Sequence, residues 1–273
     1  MKNILVPTDF SDNADNALDY ALDLARHTNR SVHLLHTYTV TTHAGHLANL
    51  ARVVREDREK EMAAYLTKVE AKANGVVVTA RVREGDSAEQ IKDEAPKHDA
   101  NLIVMGTLGA NNLAKKILGS TASNVIKHAD LPVLAVPAGV KFQQFEHLVV
   151  ALDALNMPAT KVLDRMVDFA EALKVEINLV HVSTPEKRTA VDSKTAQYLS
   201  SKGVKYTFDT TESESVLKGI VDFASRYPKS VLCLISRQRN WFSNIFHSSV
   251  STGIAKETNL PLLVLHDGAW ENK

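Results

Sequence analysis

The chain has 273 residues, with 32 Lys plus Arg against 32 Asp plus Glu, 44% apolar and 23% charged residues. That balance provides no net field to draw nucleic acid or an anionic membrane surface, and no run reaches the roughly 18 apolar residues of a membrane span. The length suits two domains of about 130 to 140 residues each, and the single cysteine, Cys233, excludes an internal disulfide and fits a reducing cytoplasm.

Met1-Lys-Asn leads directly into the strand-like run Ile4-Leu-Val6, without an apolar leader segment. The first strand is predicted over residues 3–7 and runs out into Pro7-Thr8-Asp9. Ala17, Leu18, Ala21, Leu22 and Ala25 then recur at helical spacing. Ser11 is the better candidate for the cap of that helix, with Asp9 as its rival. A second strand covers 31–37. A long helix follows from Leu47 to Ala73, with Leu47, Leu50, Val54, Met62, Leu66 and Val69 on one stripe. Further strands are predicted over 76–83, 102–105 and 132–136. Lys92, Asp93 and Glu94, like the run Arg55 to Glu61, have the pattern of solvated helix faces. Several strands are continuous apolar runs, as expected where both faces are covered. Helical crossovers between strands give a doubly wound parallel α/β sheet.

The most informative segment follows the apolar run Leu102 to Met105. It reads Gly106-Thr-Leu-Gly109, then nine residues, then Gly119-Ser120-Thr121 opening an amphipathic segment. Glycines admit backbone N–H groups close to a ligand, and a helix N-terminus offers free donors and a positive dipole end. Such an arrangement suits phosphate oxygens, although a plain turn and helix start share the pattern. No Gly-x4-Gly-Lys-Ser/Thr is present, and no Gly-x-Gly-x-x-Gly follows the first strand, so Walker-type and dinucleotide readings lack support.

A second copy of the whole pattern follows the short link Pro137 to Gln144, which has no apolar core of its own. Leu148-Val-Val-Ala-Leu-Asp153 answers to Ile4 through Asp9. Val162, Leu163, Met166, Val167 and Ala170 repeat the first helix about 145 residues later, and Ile177 to His181 repeats Val32 to His36. Leu260-Pro-Leu-Leu263 answers to Leu131-Pro-Val-Leu134 at an offset of about 129, so the second copy has lost about 16 residues between its second and third strands, roughly four helical turns. The domains are accordingly placed at 1–140 and 145–268. In an open parallel sheet a ligand sits beyond the strand carboxyl ends, where the winding reverses. If the first and fourth strands are neighbours, Asp9 and the glycine loop meet there, with Asp9 able to accept from ribose hydroxyls.

At this point the sequence resembles the universal stress protein family. The matching features are Ile4-Leu-Val-Pro-Thr-Asp-Phe-Ser11, His36 at the end of strand two, Gly85-Asp86 after strand three, and Gly106-x2-Gly109-x9-Gly119-Ser120. The resemblance covers nearly the whole chain as two tandem domains. It implies two five-stranded, adenine-nucleotide alpha-hydrolase-like sheets with strand order 3-2-1-4-5, and ATP, with or without Mg²⁺, as the ligand. By the family's pattern Pro7, Thr8 and Asp9 would lie against adenine and ribose, and Thr37 would meet the base through its backbone. Gly106 would sit under the ribose, Gly109, Gly119, Ser120 and Thr121 would hold the phosphates, and Met105 counts among the nucleotide-binding residues. The resemblance also implies pairing of the fifth strands, 132–136 against 261–265, within one chain, and it leaves a further homodimer open.

The second half departs from the motif: Gly106 becomes Ser236, Gly109 becomes Arg239, and Gly119-Ser120 becomes Ser248-Ser249, while Asp153 persists. ATP is therefore expected in the first half alone. Arg237 and Arg239 are read either as solvated or as anion contacts for another ligand, and Trp241-Phe242 with Ile245-Phe246 as lid packing or a partner patch. His43-Ala-Gly-His46 has spacing for half a zinc site but lacks partners, and His36 and His181 are read as locally bonded strand residues, so no metal site is expected. Neither a general base nor a Mg²⁺ carboxylate pair can be assigned. A cytoplasmic stress regulator or sensor is the leading reading, beside a slow ATPase or nucleotidyl-transfer enzyme and an interaction scaffold with structural ATP.

Overall fold

The structure is a computed structural model that describes residues 2–40, 47–107, 119–152, 157–185, 194–236 and 260–267. The first half runs β1 (Asn3–Pro7), α1 (Asp12–Thr28), β2 (Val32–Tyr38), α2 (Leu47–Lys72), β3 (Val78–Glu84), α3 (Ser87–Lys97), β4 (Ala100–Gly106), α4 (Ser120–His128) and β5 (Val133–Val136). The second runs β6 (His147–Ala151), α5 (Thr160–Leu173), β7 (Glu176–Ser183), α6 (Lys194–Ser201), β8 (Tyr206–Glu212), α7 (Val216–Ala224), β9 (Ser230–Ser236) and β10 (Leu262–His266). The connection between β7 and β8, residues 184–205, is shorter than that between β2 and β3, residues 39–77.

The strands lie in the order β3-β2-β1-β4-β5-β10-β9-β6-β7-β8, so each half has the order 3-2-1-4-5 and the two join in one ten-stranded sheet. Pairing is parallel within each half and antiparallel at the junction, where Leu262, Leu263 and Val264 face Ala135, Leu134 and Val133. The junction strands are buried on both faces, whereas the outer strands β3 and β8 alternate between partly covered and exposed residues. Leu263 is fully buried among side chains of both halves. Its replacement by alanine is expected to lower the unfolding free energy by about 2–5 kcal/mol, measured in urea.

The apolar sets predicted for the first helix of each copy point inward. Ala17, Leu18, Ala21, Leu22 and Ala25 are buried on α1, and Val162, Leu163, Met166, Val167 and Ala170 on α5. Ser11 caps α1, accepting from Ala14 N, with Asp12 and Asp15 favourably placed at the positive end of the helix dipole. The stripe predicted on α2 holds at Met62 and Val69 but not at Leu50, which is exposed. A helix of 26 residues is about 39 Å long, while the seven-residue strand β3 beside it spans only about 23 Å. The first turns of α2 therefore overshoot the sheet.

The link, which has no core of its own, is pinned to α1, for Asn16 Nδ2 donates to the Pro137 and Val140 carbonyls at 3.3 Å, and Phe142 packs edge-on against Tyr20 and Phe145. One further reading is corrected. Lys92 and Asp93 are exposed on α3, but Glu94 is buried, 1% exposed. Its Oε1 accepts from Arg83 at 2.6 Å and Lys97 at 2.8 Å. Burial alone would raise the Glu94 pKa, but these two cations outweigh it and hold the carboxyl down to about 2. Beside it, the buried His33 ring stacks on His98 at 3.4 Å between centroids, and burial, helped by His98, pushes His33 down to about 4.

Candidate functional site

β1 pairs with β2 on one side and β4 on the other. The winding direction thus reverses between β1 and β4, and it is at the carboxyl ends of such a strand pair that an open parallel sheet forms its ligand crevice. β1 delivers Pro7, Thr8 and Asp9 to one wall, β4 delivers Met105, Gly106 and Thr107 to the other, and Thr37 lies near the end of the flanking strand β2.

The turn after β1 is built by its own side chains. Thr8 is buried, and its Oγ1 accepts from Phe10 N at 3.0 Å. One oxygen of the exposed Asp9 accepts from the Ser11 backbone at 3.1 Å and the Ser11 hydroxyl at 2.6 Å. Phe10 adopts a φ of 61°, uncommon for a bulky residue. Its ring is held between His36, 4.5 Å away, and Tyr65, 5.0 Å away. Tyr65 donates to Asp15, and burial together with that carboxylate raises its pKa. His36 Nδ1 donates to the Thr8 carbonyl at 2.8 Å, which fixes the ring tautomer. The second half repeats this contact, His181 Nδ1 lying 3.3 Å from the Leu152 carbonyl. The two matched histidines thus brace the turn backbone through local bonds.

On the opposite wall the Gly119 N–H donates to Thr107 O at 2.7 Å, bringing the start of α4 back to the end of β4. Gly119 is buried and serves as the N-cap of α4, with no side-chain cap bond and no acidic residue in the first turn, while Ser120 and Thr121 are exposed. α1 and α3, by contrast, are capped by Ser11 and Asp86 and carry acidic first-turn residues. Asp86 also accepts from Asn124 Nδ2 at 2.9 Å, tying α4 to the start of α3. Thr37 Oγ1 lies 2.6 Å from Ser87 Oγ, so its hydroxyl is engaged.

The described candidate residues therefore gather about the carboxyl ends of β1, β2 and β4, though not all present side chains there. Met105 is sunk into the core beside Leu5 and Ile103. Gly106 abuts Asn13 of α1, so its missing side chain answers to helix packing. Phe10, Asn13, Tyr65 and Asn124 were not singled out from sequence, because their roles depend on contacts across the fold. Gly109, Asp153, Arg237, Arg239, Trp241, Phe242, Ile245, Phe246, Ser248, Ser249, His43 and His46 lie outside the described residues. No described helix is long and apolar enough to cross a membrane.

Comparisons with known proteins bear on both halves. The model of the universal stress protein family matches residues 1–137. Universal stress protein MJ0531 of Methanocaldococcus jannaschii is 36% identical over 138 residues, covering 50% of this chain and 81% of that protein. Universal stress protein YxiE of Bacillus subtilis is 30% identical over 145 residues, covering 49% and 97%. The crystal structure of a universal stress protein from Archaeoglobus fulgidus aligns with 97% of this chain and 98% of its own at a TM-score of 0.74 and 20% identity, a likeness of fold that spans both copies. The chain belongs to the universal stress protein family, as a tandem of two such units.

Proposed function

We propose that the first half, residues 1–140, binds ATP in the crevice between β1 and β4 and works as a cytoplasmic nucleotide-dependent stress regulator or sensor. The observation that carries this reading is the pairing of an exposed Asp9 on one wall with the start of α4 on the other, where the cap is a glycine tied to Thr107. First-turn N–H groups with no capping side chain and the positive end of the helix dipole suit phosphate oxygens. The exposed hydroxyls of Ser120 and Thr121 add donors at the same place. Asp9 would take ribose hydroxyls, with one of its oxygens held by Ser11. Pro7, Thr8 and the backbone of Thr37 would border the base. Met105 would contribute backbone only, and Gly106, packed on Asn13, would likewise offer its backbone beneath the ribose. Gly109 would complete the phosphate contacts from the loop. Mg²⁺, where present, would ride on the nucleotide.

The second half, residues 145–268, is the partner that β5 holds through β10, in place of a second chain. Its substitutions Arg239 and Ser248 remove two glycines from the phosphate loop, so one nucleotide per chain is expected. Cys233, fully buried in β9, suits a reducing compartment. The test is to purify the full chain, extract nucleotide by heat and quantify it, then titrate the stripped protein with ATP by calorimetry. Binding of one ATP without turnover is the expected result. Absence of binding at millimolar ATP refutes the reading, two sites per chain refute the division of labour, and steady release of ADP or AMP replaces the regulator with a slow enzyme.

A further inference from the structure

The first half carries a second cluster of donor groups, at the other end of the sheet. His33 is the second residue of β2, whereas the crevice lies beyond that strand's far end. Glu94 and His98 stand four positions apart at the carboxyl end of α3, the spacing that puts two side chains on one helix face. One ligand atom from each of the three residues lies within 4.8 Å of the others. We propose that His33, Glu94 and His98 form a binding site for a divalent transition metal, with zinc as the ion best matched to two imidazoles and a carboxylate, stapling β2 to the end of α3.

Unmet hydrogen-bonding capacity supports the assignment. His33 and Glu94 are 2% and 1% exposed, and both the His33 Nε2 and the Glu94 Oε2 are buried with no hydrogen-bond partner. Buried polar atoms left without partners are uncommon and call for an explanation, a bound ion among them. Each has its other polar atom already engaged, as metal ligands commonly do. Thr79 Oγ1 lies 2.9 Å from His33 Nδ1 and can accept its proton, which leaves Nε2 as the bare lone pair. The bonds from Arg83 and Lys97 fall on Glu94 Oε1, leaving Oε2, which is 3.5 Å from His98 Nε2.

Donors around tetrahedral zinc stand roughly 3.3 Å apart, from bond lengths near 2.0–2.1 Å. Closing the cluster therefore needs His98 to turn out of its stack on His33. That ring is the one with room to do so, being partly exposed at the helix end. The same exposure leaves a fourth position to water. The opposing influence is charge, since Arg83 and Lys97 already neutralise Glu94. Lys97 is the more exposed of the two and the easier to displace.

The experiment uses the full chain stripped with chelator, titrated with Co²⁺ for its tetrahedral absorption band and with Zn²⁺ against a chromophoric chelator. One site per chain with micromolar or tighter Zn²⁺ affinity is expected. His98→Ala should weaken it by about 100-fold, and Lys97→Ala should tighten it severalfold by removing a competing cation. If His98→Ala does not fold, His98→Gln serves in its place, with circular dichroism checking both. No stoichiometric Zn²⁺ uptake, or uptake unchanged by loss of His98, overturns the proposal, the second result placing the ion on other histidines. ATP titration is read separately, so failure here leaves the nucleotide site untouched.

Discussion

Valine at position 106 should destabilise the protein by about 3 kcal/mol or more, and alanine there by about 1–3 kcal/mol. A Cβ built on Gly106 lies 2.8 Å from Asn13 Cγ and 2.9 Å from the Asn13 carbonyl oxygen, and closer still to Asn13 Nδ2. The amide could turn aside, but the carbonyl belongs to the first turn of α1 and is fixed by the helix. Relief then requires lifting the start of α1 from the end of β4. The Ser11 cap and the Asp9 turn would be lifted with it, because Asp9 holds both the backbone and the hydroxyl of Ser11. Stability and nucleotide affinity should therefore fall together. The second half offers an internal comparison. Ser236 stands where Gly106 would be, and α5 begins at Thr160, later than the position 157 that the 145-residue offset assigns to the start of α1. A helix that starts later leaves room for the serine. Urea unfolding and thermal melts check the prediction, and a midpoint unchanged in the valine variant would sink the packing account.

The parts legible in sequence are those set by short-range periodicity. Ten apolar positions on α1 and α5 were placed by spacing alone, because a helix buries a stripe and a buried stripe must be apolar. Ser11 was preferred to Asp9 as the cap, and it does accept from Ala14 N, while Asp9 accepts from Ser11 itself. Long-range competition was not legible. Leu50 satisfies the stripe on α2, yet nothing in its own segment reveals that the neighbouring strand is too short to cover it. Glu94 shows the opposite failure. It falls with Ala88, Ile91 and Ala95 on the inward face of α3, and that spacing was available as a signal. Charge type outweighed spacing in the reading, because a carboxylate is rarely buried without a partner and the partner, Arg83, sits on a different element. Gly106 was read as a glycine that lets a ligand approach, whereas in the structure a side chain there is forbidden by helix packing. The atoms that forbid one belong to Asn13, more than ninety residues earlier.

Replacement of Gly109 by arginine should abolish ATP binding by the first half, with an affinity loss of about 100-fold or more. Gly109 lies outside the described residues, but the two described ends of its loop fix where the loop departs and returns. Those ends are close: Thr107 and Gly119 are joined by a 2.7 Å backbone bond, so residues 108–118 leave and return at one edge of the crevice. A loop so anchored can bring backbone N–H groups to a phosphate only where no Cβ intervenes. Losing two or three such bonds, each worth roughly 1.5–3 kcal/mol when the acceptor is charged, exceeds the 2.7 kcal/mol that corresponds to about 100-fold. The protein has made this substitution itself at Arg239, in the copy where Ser248 also replaces the glycine of the α4 cap. Asp9→Asn should have a smaller effect, about tenfold, because the amide retains an oxygen for Ser11 while losing the charge that strengthens bonds from ribose hydroxyls. ATP at 100 times its dissociation constant should stabilise the wild type by about 2.7 kcal/mol and the arginine variant hardly at all. Thermal shift measured with and without ATP separates this from any change in the unliganded protein. Binding retained by the arginine variant at unchanged stoichiometry would refute the glycine loop as the phosphate site, and would turn attention to the second half as the place where the nucleotide is held.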